Sequence, residues 1–210
     1  MADYRGIEGA SEALVNVLRM SYDVDDFGID LQFQVYVSDD FLNPMAAGIS
    51  IFLYRVSVNG NHRTPSGRPA PNQMKFPTKL PVDLHYLMTI WARDSSMQHR
   101  IAGWMMRLLE DTPIMPFGLL EAVSPGVFQP DEMLEILLSD MPNESMFSLW
   151  ETLGQTKYQL SIPYTIRHLA LESTRLMPAG GPVQERQFDM AKFSPDPLTK
   201  RMNTGGGVIS

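Results

Sequence analysis

The sequence contains no cysteine, which removes disulfides, thiolate metal sites and a cysteine nucleophile from consideration. Nowhere do about 18 apolar residues run uninterrupted, the length a membrane-spanning helix requires. Residues 1–9 carry Asp3, Arg5 and Glu8 and no apolar segment of signal-peptide type. Cytoplasmic synthesis without membrane insertion is therefore expected. Positive charge is also scarce: 17 Lys and Arg face 24 Asp and Glu, giving a formal net charge of −7 and a pI near 5.0. That balance opposes long-range attraction to nucleic acid, so no nucleic-acid partner is expected. The spacings that place a nucleophile on a sharp turn, phosphates in a glycine loop or zinc on a helix (G-x-S-x-G, G-x-x-x-x-G-K-[ST], H-E-x-x-H) do not occur. The motifs leave an enzyme possible but unadvertised, no cofactor or metal is expected, and the chain has no internal repeat.

What remains is an ordinary globular composition. Of 210 residues, 44% are apolar and 10% aromatic, enough for one sizeable core in a single domain with an extended tail. From Ile7, the residues Ala10, Leu14, Val17 and Leu18 recur at spacings of three and four, which predicts a helix over 7–20. Leu31, Phe33, Val35 and Val37 alternate with Gln32, Gln34 and Tyr36, the pattern of a strand with one wetter face, placed near a sheet edge. Gly48–Val58 reads as a more buried strand, and Leu84–Trp91, apolar on both faces, as a central one. Ser95 with Gln98 has capping-box spacing, and Ile101, Trp104, Met105 and Leu108 form the stripe of a helix that Pro113 and Pro116 stop. A strand over 132–138 follows. Pro142-Asn143 opens a third helix with Met146, Leu149, Trp150 and Leu153 on one face and Gly154 as its C-terminal cap. The last strand, 158–171, contains Pro163, which predicts an edge or a bulge there. The result is an α/β fold, a mixed sheet of about five strands flanked by about three helices, over 1–177. A glycine- and proline-rich tail occupies 178–210, and its run Gly205–Gly207 has no strand before it or helix after it to cradle phosphate.

Few residues advertise chemistry. His62, His85, His99 and His168 are scattered over different elements and read as structural. Asp23-x-Asp25-x-x-Gly28 begins like a calcium loop, but Phe27 and Gln34 stand where ligands are needed, so Asp23, Asp25, Asp26 and Asp30 read as a solvated acidic loop. Glu110-Asp111 ends the second helix against its dipole and also reads as solvated. Met88, Met105, Met133 and Met146 fall on expected core faces. The exception is the long connection 59–82. It holds Arg63, Arg68, Lys75 and Lys79 with prolines at 65, 69, 71 and 77, and long loops in compact domains tend to be functional. It reads either as a solvated loop or as one that meets an acidic surface, the Asp23–Asp30 loop of a neighbouring subunit or a partner protein.

Four runs carry a family resemblance: Leu80-Pro-Val-Asp-Leu-His-Tyr-Leu-Met-Thr-Ile-Trp-Ala92, Asp111-Thr-Pro-Ile-Met-Pro116, Tyr158-Gln-Leu-Ser-Ile-Pro-Tyr-Thr-Ile-Arg167 and Gly181-Pro-Val-Gln-Glu-Arg186. In order and spacing they resemble the cap, or sheath-tube terminator, proteins of extracellular contractile injection systems, over about residues 10–190. The resemblance implies a tail-terminator-like fold and a homo-hexameric ring seated on the last layer of sheath and inner tube, incorporated into a phage tail-like particle. It supplies no catalytic residues. Ring interfaces are head-to-tail and close by rotation, and an edge strand can accept an extended arm. The interface candidates are Asp23, Asp25, Asp26, Arg63, Arg68, Lys75 and Lys79, joined by Glu185 and Arg186 of the last motif. Two other readings compete: an assembly adaptor or chaperone using the basic loop, and an enzyme built from Asp83, His85 and Arg167.

Overall fold

The computed structural model describes residues 2–60, 79–154 and 157–172. The elements in chain order are α1 (Gly6–Ser21), α2 (Val24–Phe27), β1 (Gln32–Tyr36), a 3-10 turn (Ser38–Leu42), β2 (Gly48–Val58), β3 (Lys79–Trp91), α3 (Ser95–Asp111), β4 (Ile114–Pro116), α4 (Phe117–Val123), β5 (Met133–Leu138), α5 (Asn143–Thr152) and β6 (Ser161–Glu172). The strands form one mixed sheet in the order β1-β2-β3-β6-β5-β4. Only β1 and β2 run parallel, and the other neighbours are antiparallel.

Alternation along the strands divides the core in two. Phe33, Ile49, Ile51, Leu84, Tyr86, Met88 and Ile166 face α1 and α3 and pack against Leu14, Leu18, Ile101 and Met105. On the other face Tyr36, Leu87 and Trp91 pack against Phe41 of the 3-10 turn and Trp150 and Leu153 of α5. Several polar groups in this interior are paired: the Trp91 indole donates to Ser50 Oγ at 2.8 Å, Thr89 and Ser161 share a 2.9 Å hydroxyl bond, and Tyr86 meets Ser11 of α1 at 2.8 Å. Burial pushes the phenols up, that of Tyr164 to about 12.

Several expectations are corrected. The basic connection is shorter than 59–82, because Lys79–Val82 already belong to β3, where Lys79 pairs with Glu172. The cap of α3 is Asp94, whose carboxylate accepts the Met97 N–H at 2.9 Å, while Gln98 donates to the Ile90 carbonyl. A carboxylate one residue earlier outcompetes the Ser95 hydroxyl. Pro163 is not on an edge strand: β6 lies between β3 and β5, and Pro163 pairs with Leu87. Its carbonyl accepts the Ser139 N–H at 3.0 Å, so its nitrogen also faces the β5 side, just where the β5 ladder ends at Leu138. The missing donor forfeits only the reciprocal bond to the Ser139 carbonyl, at the very end of that ladder. Met133 is exposed, since the β5 alternation turns Leu134 and Ile136 inward instead. Asp111 is held by Arg107 one turn back, which offsets the helix dipole. The short elements α2, β4, α4 and the 3-10 turn lie below the length at which periodicity is visible.

Candidate assembly interface

A sheet offers partners its unpaired edges, so the site is found by asking which edges the chain closes itself. Among the described residues most are closed. The outer side of β1 is capped at three points: the Leu31 N–H bonds Tyr22 Oη (3.2 Å), the Phe33 carbonyl accepts Arg19 Nη2 (3.4 Å), and the Val37 N–H bonds the Asp40 carboxylate (2.7 Å). The far end of β6 is covered by the N-terminal residues, with the Glu172 N–H on the Ala2 carbonyl (2.8 Å) and the Ala2 N–H on Glu132 Oε1 (2.9 Å). At the opposite edge β4 is three residues long and ends in Pro116, a device that discourages pairing.

The far half of β2 is different. Pairing with β1 stops at Tyr36–Phe52, yet β2 continues to Val58. Before the bulge at Leu53–Arg55 the odd-numbered residues address β1, as the Gln32 N–H to Ala47 carbonyl bond requires. After it the odd-numbered residues address β3, as the Asn59 N–H to Pro81 carbonyl bond requires. The one-residue bulge thus reverses the phase and turns the backbone N–H and C=O of Val56 and Val58 into the position that β1 has vacated. Both side chains are exposed, at 45% and 53%, and the turn leading from β1 exposes Val37 and Leu42 beside the acidic pair Asp39-Asp40. The result is a stretch of strand edge, Val56–Val58, left open among the described residues.

The sequence candidates fall elsewhere. Asp23 caps α2 by accepting the Asp25 N–H (3.0 Å), with Asp25 and Asp26 in the first turn and Gly28 closing it in the left-handed conformation. Lys79 opens β3. Arg63, Arg68, Lys75, Glu185 and Arg186, like the tail from 178 and its boundary at 177, lie outside the described residues. The open edge was missed, although the mismatch between a strand over 31–37 and one over 48–58 was its signal in the sequence.

The polar groups Asp83, His85 and Arg167 do share a sheet face, but in a structural role. His85 Nε2 lies 2.8 Å from Ser57 Oγ and Nδ1 lies 3.2 Å from Thr165 Oγ1, so both ring nitrogens are engaged by hydroxyls of the flanking strands. Asp83 is bonded by the Asn59 amide instead of the imidazole. The open cleft lined by Tyr54, Met141, Glu144 and Leu149 contains none of the three, and among the described residues no group of three or more His, Asp and Glu could hold a metal. Burial, then Arg55, and last Arg167, lower the His85 pKa from its ordinary 6.5, against an opposing pull from Asp83. The unfolded chain therefore binds a proton that the folded chain resists. Stability is expected to be full above pH 6.5 and to fall as pH drops below it, toward the lowered folded value. Thermal melts between pH 7 and 5 check this. A His85→Gln variant, which keeps hydrogen-bonding groups but does not titrate, is expected to show a shallower decline, and an identical decline would show that other groups cause it.

The described residues thus form a mixed six-stranded α/β sheet with helices on both faces and one strand edge left unpaired over Val56–Val58. The chain belongs to the family described as the Pvc16 N-terminal domain, which matches residues 10–185. Its fold is similar to that of the PVC sheath/tube terminator of an extracellular contractile injection system, solved by cryo-EM in the extended state, with a TM-score of 0.57 and 16% identity over 87% of this chain and 62% of that one. It is also similar to the anti-feeding prophage cap, a tube-terminating cap solved by cryo-EM, with a TM-score of 0.54 and 17% identity over 85% and 59%. The chain thus spans about three fifths of the length of the chains it matches. No curated protein matches it by sequence.

Proposed function

We propose that the protein is a structural cap: it forms a closed hexameric ring on the distal end of a contractile injection system, ends polymerisation of sheath and inner tube, and leaves the cytoplasm as part of the assembled particle. The observation that carries this reading is the family match over 10–185, and the fold shared with two terminators is in keeping with it. The physical fit lies in the open edge of β2. A terminator must bind a growing end without offering an equivalent end to the next layer. A strand edge open at one place and plugged elsewhere meets that need, and head-to-tail contacts of this kind close by rotation.

Light scattering of the purified chain, alone and with its sheath protein, tests the reading. A hexamer of 23.7 kDa chains, about 140 kDa, is expected alone or on mixing. A chain that stays monomeric alone but binds an assembling partner transiently through 59–82 would instead be an adaptor or chaperone. A monomer indifferent to the sheath would sink both readings.

A further inference from the structure

A head-to-tail contact between copies needs two different, complementary surfaces on one subunit. The helices α3 and α5 offer such a pair on opposite sides of the sheet: α3 buries Ile101, Met105 and Leu109 in the first core, and α5 buries Trp150 and Leu153 in the second. We infer that the outer face of α3 on one subunit packs antiparallel against the outer face of α5 on the next, joining neighbouring subunits; this rests on the ring reading above.

Charge, register and shape converge on this contact. At 3.6 residues per turn Arg100, Gly103 and Arg107 share the outer face of α3, and Glu144, Ser148 and Glu151 that of α5, and all six are exposed. Arg100, Glu144 and Glu151 take part in no ion pair among the described residues. No Lys or Arg occurs anywhere from Leu138 to Thr156, so α5 presents uncompensated negative charge. Arg107 holds Asp111, but that pair is exposed and exchanges partners at little cost. The spacing fixes the direction. In each helix the two charges are separated by about 10.5 Å, two turns, with a small residue between them. Gly103 follows Arg100 by three positions and precedes Arg107 by four, whereas Ser148 follows Glu144 by four and precedes Glu151 by three. The two patterns coincide when the helices run antiparallel, which sets Arg100 on Glu151, Gly103 on Ser148 and Arg107 on Glu144. Shape agrees. Glycine is a poor residue for a helix interior, and no atom lies within 4 Å of where a Gly103 side chain would begin, so nothing in the described chain explains its use there. A glycine facing a serine lets two helix axes approach closely. In the same arrangement Met106 and Phe147, exposed at 39% and 52%, fall on one flank of the helix pair and cover each other, a favourable thioether–aromatic contact.

Charge reversal of the full chain tests the pairing. Arg100→Glu with Arg107→Glu reverses one face, Glu144→Arg with Glu151→Arg reverses the other, and a fourfold variant reverses both. Self-association is read by light scattering, with and without the sheath protein. Each double variant is expected to weaken it about tenfold or more, because like charges then face each other. The fourfold variant, and an equal mixture of the two double variants, are expected to return to within about threefold of the parent, since every reversed face can then meet a reversed one. A fourfold variant as weak as the doubles would overturn the proposal. Because the chain has no cysteine, Gly103→Cys with Ser148→Cys supplies a second readout. The two positions lie on opposite sides of the sheet and cannot bridge within one chain. Mild oxidation is expected to give a ladder of covalent multimers running past the dimer. A product that stops at the dimer would show a two-fold contact in place of a head-to-tail one, and the absence of any product would show that the helices do not meet; either overturns the proposal. A parent that assembles while both double variants assemble equally well would overturn the helix contact and spare the ring. A parent that stays monomeric alone and with the sheath protein would fail the ring reading, and the contact with it.

Discussion

Replacement of Gly48 by alanine is expected to cost about 4 kcal/mol, as the sum of backbone strain and overpacking, and to release β1 from the sheet. Gly48 opens β2 with φ at +144°, a conformation that side chains rarely adopt, and it lies opposite Gln32 at the start of the parallel β1–β2 pairing. A Cβ added there would land on the Gln32 carbonyl oxygen, with the Gln32 nitrogen and carbonyl carbon close behind. The neighbour is backbone, so nothing flexible can move aside. Relief requires β1 to withdraw, and with it Phe33 and its ring contacts to Tyr22 and Trp104. Urea unfolding checks this through the midpoint shift at constant slope. A Gly48→Ala protein within about 1 kcal/mol of the parent would mean that the β1–β2 junction is not built as described.

Trp91→Ala is expected to cost about 5 kcal/mol, with a cavity on the order of 4 kcal/mol and the remainder from an orphaned hydroxyl. Trp91 ends β3, is 6% exposed, and lies within 6.4 Å, ring to ring, of Tyr36, Phe41 and Trp150. It ties three separate elements, β1, the 3-10 turn and α5, to the second face of the sheet. Its indole N–H is also the partner of Ser50, whose side chain is wholly buried. Trp91→Phe keeps much of the packing and loses the donor, so about 2 kcal/mol is expected. A cost for Trp91→Ala below that of Trp91→Phe would refute this account. Because Phe41 belongs to the 3-10 turn Ser38–Leu42, the alanine variant is also expected to loosen that turn at temperatures where the chain stays folded.

Much of this architecture was legible because local patterns and burial agree. The stripe Ala10, Leu14, Val17, Leu18 became α1, the apolar run 84–91 became a central strand, and Pro142 with Gly154 bracketed α5. Errors arose where local chemistry has several solutions. Asp94 and Ser95 are both good caps, and only the direction of the preceding strand decides which side chain meets the free N–H groups. Pro163 forbids one hydrogen bond but does not say on which side, and the length of β5 settled that.

The sequence by itself determined that the chain has the apolar content of a folded domain without disulfides, that no familiar catalytic spacing is present, and that positive charge gathers in one proline-rich connection. Those are properties of residue type and spacing, readable before any contact is known. Tertiary structure alone decided which edges are closed, because closure depends on residues distant in the chain: Tyr22, Arg19 and Asp40 on β1, Ala2 on β6. It also decided that β2 outruns its partner and that the bulge at Leu53–Arg55 turns Val56 and Val58 outward. Strand length and phase are relative quantities, fixed only when two strands meet.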